Sequence, residues 1–219
     1  MKKLLLLLIL VSQLNFAQTA KEIIDKNIEL TGGLTNWKLL NSVILQGKVT
    51  LGINDEYPIK IFQQRPNLTK TVITLNKKDT PIEGYDGTKG YAMNYATNKI
   101  QEYPTYNAES FDNDFIDWES KGFEAKYLGK EKLGEVYCHK VELTKNVNKT
   151  IYYFDTKSYM LVKEIKTDET LSYSDYKKVG GLLMPYRLES SSQKRDSDYV
   201  MIINKIETNK VLPPNTFKF

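Results

Sequence analysis

The pattern of hydrophobic and polar positions begins with a helical period. Over residues 19–30 the apolar positions recur at helical spacing with charged residues between them, which predicts an amphipathic helix. Thr19, followed three residues later by Glu22, has the capping-box pattern of a helix start. Gly32 and Gly33 offer the left-handed backbone residue that commonly ends a helix. The sequence therefore marks both ends of this first helix.

After Trp37 the period changes to two. Val43, Leu45 and Val49 alternate with polar residues, which predicts a half-buried strand. Similar runs continue to residue 206, and turn residues separate most of them. The predicted strands number about 13 and cover 43–51, 57–63, 67–75, 81–85, 89–94, 99–103, 123–128, 136–143, 150–154, 160–165, 171–177, 182–188 and 199–206.

Residues 107–121 interrupt the strand pattern. Phe111, Phe115 and Trp118 lie at i, i+4 and i+7, and acidic residues occupy positions between them. This spacing predicts a second amphipathic helix that ends at Gly122, with an aromatic stripe buried against the sheet and a solvated acidic face.

The strand count sets the expected architecture. No internal repeat or linker divides the chain, so we predict one domain over residues 18–219. An open sheet of more than about ten strands tends to curl or close. We therefore predict a mainly β fold, in which one large curled antiparallel sheet, a half-open β-barrel, is covered by two amphipathic helices. A hydrophobic cavity is expected under the helices if they leave the concave face unfilled.

The first residues predict export. Met1, Lys2 and Lys3 precede an apolar run that is much shorter than the roughly 20 residues of a membrane-spanning helix. We predict a signal peptide over residues 1–17, cleaved near Ala17, and no transmembrane segment in the mature chain. Its removal lowers the formal net charge from +4 to +2, because 29 basic and 27 acidic residues remain. This charge gives no support to nucleic-acid binding.

Composition restricts the chemistry. The chain has one Cys and one His, so it forms no internal disulfide and no thiolate or imidazole zinc cluster. Cys138 and His139 are neighbours on a predicted strand and face opposite sides of the sheet, which excludes a dyad between them. The run from Asp112 to Asp114 departs from the calcium-loop pattern at its later positions. We predict no catalytic residue, no metal and no cofactor. The 27 acidic residues leave a carboxylate pair open as an alternative.

Several short motifs, taken in order, resemble a known family. They are Gln64–Leu68, Tyr85–Thr88, Tyr153–Tyr159, Tyr173–Tyr176, Gly180–Tyr186 and Phe217. The first two motifs, together with the first helix and its Gly-Gly end, resemble the periplasmic lipoprotein carriers of the LolA/LolB type. The later motifs are similar to the outer-membrane lipoprotein-sorting-like proteins of Bacteroidetes.

The resemblance implies a half-open antiparallel barrel and a lipid-handling role. In the carriers an Arg beside a Pro-Asn turn is linked to holding the helical lid closed, and Arg65 is the matching position here. The only Cys is Cys138, so the chain lacks the lipid-attachment Cys of the LolB-type receptors. A soluble periplasmic protein is therefore expected.

These observations define the predicted function. We expect a non-catalytic, monomeric periplasmic carrier or binder of lipoprotein acyl chains or other lipid, with lipid or a lipidated protein and lipoprotein-sorting components as partners. The predicted lid and cavity residues are Arg65, Phe111, Phe115, Trp118, Leu45, Val49 and Ile61. Two alternatives are an envelope interaction module with a filled core and an envelope hydrolase that uses a carboxylate pair.

Overall fold

A computed structural model describes residues 19–52, 55–192 and 198–219. The predicted signal peptide and Asn54, part of one predicted turn, lie outside these ranges. There are two helices, α1 (Ala20–Leu30) and α2 (Leu34–Leu39), in the described ranges. The strands are β1 (Ser42–Leu51), β2 (Asp55–Gln64), β3 (Leu68–Leu75), β4 (Lys78–Tyr85), β5 (Gly90–Asn94), β6 (Lys99–Glu102), β7 (Glu124–Leu133), β8 (Val136–Lys145), β9 (Asn148–Asp155), β10 (Leu161–Ile165), β11 (Glu169–Val179), β12 (Leu182–Ser192) and β13 (Tyr199–Thr208).

Helix α1 confirms the first helical prediction. The Thr19 side chain accepts a hydrogen bond from the Glu22 amide, and the Glu22 carboxylate accepts one from the Thr19 amide, which is the reciprocal capping box. Its apolar side is buried. Gly32 and Gly33 have positive φ and end the helix as expected. Helix α2, which was not predicted, follows immediately.

All 13 predicted strands are present, and they form one antiparallel sheet in the order β6-β5-β4-β3-β2-β1-β13-β12-β11-β10-β9-β8-β7. The predicted half-open barrel is wrong in its curvature, because the sheet is neither closed nor strongly curled. Strands β6 and β7 are its two edges. Burial of the apolar face does not require closure here, because helices and a long connection cover that face.

The connection from β6 to β7, residues 103–123, is called the strap below. Its ends lie at opposite edges of the sheet, so it must cross the whole face. The predicted helix over 107–121 is absent, and the strap consists of turns. One cause is Asn113, whose side-chain oxygen accepts hydrogen bonds from the Phe115 and Ile116 amides in competition with helical bonding. Another is the positive φ of Asp117.

Two groups of buried residues share the covered face. The first, called the helix-covered cluster, joins α1 and the strap to β8 and β9 and includes Ile23, Ile24, Phe115, Tyr152 and Phe154. The second, called the apolar strip, lies mainly on β1, β2, β3, β12 and β13. Trp37 of α2 packs against both groups. The face is thus one continuous surface with two differently covered halves.

None of the helices in the described ranges has the length and apolar character needed to span a membrane.

Candidate functional site

Arg65 lies just after β2 and connects three parts of the molecule. Its Nε donates to the Leu40 carbonyl at 2.6 Å, and its Nη2 donates to the Trp37 carbonyl at 3.0 Å. These carbonyls belong to the end of α2, where unpaired acceptors favour a cation. The guanidinium also forms a two-pronged pair with Asp112, with N···O distances of 2.7 and 2.6 Å. Arg65 therefore joins β2, α2 and the strap.

Phe111 is held over the apolar strip by the same region. Its amide donates to the Pro66 carbonyl at 2.9 Å. Its ring lies 5.0 Å from Cζ of Arg65, within the range of a cation–π contact. The partly buried side chain packs against the strip. The first half of the strap thus covers the strip with one aromatic ring.

Phe115 and Trp118 have a different location. Both belong to the helix-covered cluster, where Phe115 is only 4% exposed. Its ring centroid lies 4.8 Å from that of Tyr152 and 5.3 Å from that of Phe154. The three aromatic residues predicted as one stripe are therefore divided between the two halves of the face, because the strap is not helical.

The predicted strand residues of the site do lie together. Leu45 and Ile61 are directly opposite each other on β1 and β2, and both are partly exposed on the apolar strip. Val49 is on the same face and is buried. Leu45 and Ile61 are thus accessible from the covered side, whereas Val49 forms part of the floor.

We predicted that the acidic residues of the strap form the solvated face of a helix. The strap is not helical, and five of its acidic residues pair with cations instead. Each cation comes from a different part of the chain. The pairs are Glu109–Lys166, Asp112–Arg65, Asp114–Lys145, Asp117–Lys38 and Glu119–Lys21, with N···O distances of 3.7, 2.6, 2.6, 2.7 and 3.2 Å.

Two of the five strap pairs, those of Asp112 and Asp114, are the most shielded from water. Arg65 and Asp112 are each about a quarter exposed, and so are Lys145 and Asp114. Asp114 also accepts a hydrogen bond from the Tyr152 hydroxyl at 2.5 Å. Pairs with this degree of burial and hydrogen bonding position the strap more strongly than exposed pairs do. Sequence reasoning missed these pairs, although five acidic residues within 109–119 were a visible signal.

Carboxylates flank the apolar strip. On the β4 side, desolvation raises the pKa of Glu83, and the carboxylates of Glu109 and Glu169 raise it further, although the Glu83 side chain is exposed. On the β10–β11 side, burial opposes the charge of Lys166, but Glu164 and Glu109 outweigh it and raise the Lys166 pKa.

Two surface depressions in the described ranges have volumes of about 490 and 350 Å³. The larger is lined mostly by hydroxyl-bearing and charged side chains of β1 and β10–β13, and the smaller lies beside α1. Neither contains a residue of the predicted lid and cavity set. The predicted lid and cavity residues lie instead on or beside the apolar strip and the helix-covered cluster.

His139 and Cys138 are both buried. The His139 ring stacks on Tyr159, and its Nδ1 lies 3.3 Å from the Tyr127 hydroxyl oxygen. Burial, with a smaller effect of Lys130, lowers the pKa of His139. Burial raises the pKa of the Cys138 thiol to about 11, which disfavours the reactive thiolate. Both positions thus have the features of structural residues.

The fold and the site together define a class of protein, an open antiparallel sheet whose apolar face is covered by an N-terminal helix and a crossing strap. Several solved structures are similar to it in fold. An outer-membrane lipoprotein-sorting protein domain from Vibrio parahaemolyticus matches with a TM-score of 0.58 and 10% identity, over 91% of this chain and 96% of that one. A LolA superfamily protein from Nitrosomonas europaea gives 0.57 and 13%, over 93% and 99%.

A third structure, a DUF1329 family protein from Desulfovibrio piger, matches with a TM-score of 0.56 and 11% identity, over 91% of this chain and 97% of that one. The chain therefore has the LolA-like fold, as the motif resemblance predicted. By sequence, no family model and no curated protein matches the chain.

Proposed function

We propose that the protein is a non-catalytic carrier or binder of lipid, or of the acyl chains of a lipoprotein, and that the apolar strip under the strap is its binding surface. The observation that carries this proposal is the partial exposure of Leu45 and Ile61 on an apolar face with a buried floor. The strap covers this half of the face with Phe111 and polar contacts, not with a closed core. The LolA-like fold supports the same role.

Binding would be driven by removal of methylene groups from water. Each buried methylene contributes about 0.8 kcal/mol, so ten of them give roughly 8 kcal/mol before the costs of ordering the chain and the strap. An acyl chain needs only apolar contacts along its length. The strip supplies these contacts without any catalytic group.

The wider role is part of the proposal. A carrier of this kind would act after export to the periplasm, with residues 1–17 removed near Ala17, and would work as a monomer in outer-membrane lipoprotein sorting. Its partners would be a lipidated protein and the components that deliver or receive it. The LolA-like fold is the observation that supports this setting.

The test is a binding measurement with a variant that fills the strip. The fluorescent apolar probe N-phenyl-1-naphthylamine is titrated with the protein, and octaethylene glycol monododecyl ether competes for the site. We expect Leu45→Trp to reduce probe affinity about tenfold or more, because the indole would occupy the accessible surface beside Ile61. Ile202→Trp is the matched control, because Ile202 is 43% exposed and lies next to Met201 and Ile203, on the opposite face of β13.

Native mass spectrometry of protein exported to a bacterial periplasm provides a second measurement. Bound lipid in the wild-type protein, reduced in the Leu45→Trp variant, is the expected result. Absence of probe binding and of bound lipid would refute the carrier proposal. That result would favour the alternative of an interaction module with a filled core. In the helix-covered half of the face, the deeply buried Phe115 and Ile116 already support a filled core.

A further inference from the structure

Phe111 and Asp112 together place an apolar group and an anionic group side by side at one end of the apolar strip. The Phe111 ring packs against the strip. The adjacent carboxylate forms the two-pronged pair with Arg65, and this pair is only about a quarter exposed. One dipeptide of the strap therefore makes the two kinds of contact that an anionic amphiphile would make.

The chemistry of Arg65 defines which headgroup fits. A guanidinium is planar and matches the two oxygens of a carboxylate or a phosphate. Two of its nitrogens are already oriented by the Leu40 and Trp37 carbonyls. These contacts do not involve Asp112, so the fork would stay in position if the aspartate left. Arg65 is therefore a preorganised anion-binding group, and in this structure Asp112 of the same chain is the anion that it binds.

The strap can release this dipeptide without leaving the sheet completely. Phe115 and Ile116 are 4% and 2% exposed and fix the following part of the strap to the helix-covered cluster. Before the dipeptide, Glu109 is 79% exposed and its contact with Lys166 is long, 3.7 Å. The segment from Glu109 to Asp112 is thus weakly held at Glu109, and it is anchored beyond Asp112 by Phe115 and Ile116.

The surrounding charges orient a ligand in one direction. Glu83 lies across β3 from Ile61, in the same row of paired residues, and the Glu169 carboxylate accepts a hydrogen bond from Ser190, which pairs with Tyr199. Ile61 is four residues from Arg65, or about 13 Å along an extended strand. A negative headgroup is therefore favoured at Arg65 over a position beside the Glu83 carboxylate.

From these contacts we propose that the ligand is an anionic amphiphile, an acyl chain with a carboxylate or phosphate headgroup, and that it displaces Phe111 and Asp112. Its headgroup binds Arg65 and its chain lies on the strip beside Leu45 and Ile61. The dipeptide is then an internal competitor that keeps the empty site covered. This inference rests on the proposed function and specifies the ligand class for the same surface.

The test compares three ligands with the same chain length, each below its critical micelle concentration. Dodecanoate and dodecyl phosphate carry the two anionic headgroups, and octaethylene glycol monododecyl ether carries none. Affinities are measured by competition with N-phenyl-1-naphthylamine. We expect the wild-type protein to bind both anionic ligands about threefold more tightly than the uncharged one, less than the roughly tenfold of a full charge-assisted pair, because the headgroup must displace Asp112 from Arg65. A higher affinity for one anion identifies the source of the headgroup.

Two strap variants separate the headgroup from the chain. Asp112→Asn keeps the shape of the side chain but removes the competing charge, so it should raise the affinity for the anionic ligands several-fold and leave the uncharged ligand unchanged. Phe111→Ala removes the competing ring and should raise all three affinities together. Glu119→Gln is the matched control, because Glu119 is a strap acid paired with Lys21 of α1, whereas Arg65 contacts α2, and it should change none. Thermal unfolding confirms that each variant is folded.

The possible results distinguish this inference from the proposed function. If none of the ligands binds, the carrier proposal itself fails. If all three bind equally and Asp112→Asn changes the three affinities alike, the protein binds chains but the headgroup assignment is overturned. Binding of inorganic phosphate alone with comparable affinity would also overturn it, because the site would then recognise the anion without the chain.

Discussion

Arg65 connects the end of a strand, the end of a helix and the strap through a single guanidinium. Its contacts use Nε, Nη1 and Nη2 at the same time, toward two main-chain carbonyls and one carboxylate. A lysine at this position has one nitrogen and cannot make the two-pronged pair with Asp112 while reaching the carbonyls of Leu40 and Trp37. The residue is therefore defined by the geometry of its side chain as well as by its charge.

Substitution Arg65→Lys should destabilise the protein although the charge is kept. We expect a loss of about 1–3 kcal/mol in the free energy of unfolding, because at least two hydrogen bonds, one of them to a charged partner, are not replaced. Urea unfolding monitored by circular dichroism measures the change.

The control for this experiment is Arg187→Lys. Arg187 forms an ion pair with Glu189 at 2.7 Å on the exposed surface, so we expect a change within about 0.5 kcal/mol. Equal effects of the two substitutions would show that Arg65 contributes only its charge, and the structural role assigned to its contacts would be wrong.

At the scale of secondary-structure elements, local pattern was sufficient for the strands and for α1 but not for the strap. The alternation of strands and the capping box of Thr19 and Glu22 are read from neighbouring residues, so the sequence predicted them. The spacing of Phe111 and Phe115 also fits a helix. Their actual environments depend on contacts with distant cations such as Arg65 and Lys145, which no local pattern reveals.

The same reason limits the prediction of the candidate site. Strand parity is local, so the alternation was enough to place Leu45 and Val49 on one face of β1. The position of Ile61 opposite Leu45 depends on the register between β1 and β2, which the alternation does not give. The pairing of Asp112 with Arg65 joins residues 47 positions apart and required the order of the strands. Curvature was also mispredicted, because strand number alone does not show that a strap and a helix cover the face.

The strap should contribute unequally along its length. Phe115→Ala removes a ring that is 4% exposed and contacts Tyr152 and Phe154, so we expect a loss of about 3–4 kcal/mol in the free energy of unfolding. Phe111→Ala, at a partly exposed position, should cost clearly less. Urea unfolding of both variants tests this difference. Comparable losses of unfolding free energy in the two variants would mean that both halves of the strap are held equally. That result would contradict the proposal that a ligand displaces only the first half.

At the scale of the whole molecule, buried tyrosines are distributed over the covered sheet and its strap. Burial raises the pKa of Tyr106 and Tyr199 to about 12, with nearby carboxylates adding to the effect. Burial also raises the pKa of Tyr152, Tyr173 and Tyr176. In the unfolded chain a tyrosine ionises near pH 10. The folded state therefore retains protons that the unfolded state has lost.

This difference predicts a cooperative alkaline unfolding. Where the folded protein binds more protons than the unfolded one, stability falls as pH rises, so the stabilising effect is complete below about pH 10 and is lost above it. Absorbance at 295 nm, which reports tyrosinate, should rise steeply at the same pH at which circular dichroism shows loss of the sheet. Tyr173→Phe removes the hydrogen bond to Glu164 but also one of the ionising groups, so its stability should depend less steeply on pH in this range. A gradual absorbance rise with the sheet intact would contradict the burial of these hydroxyls.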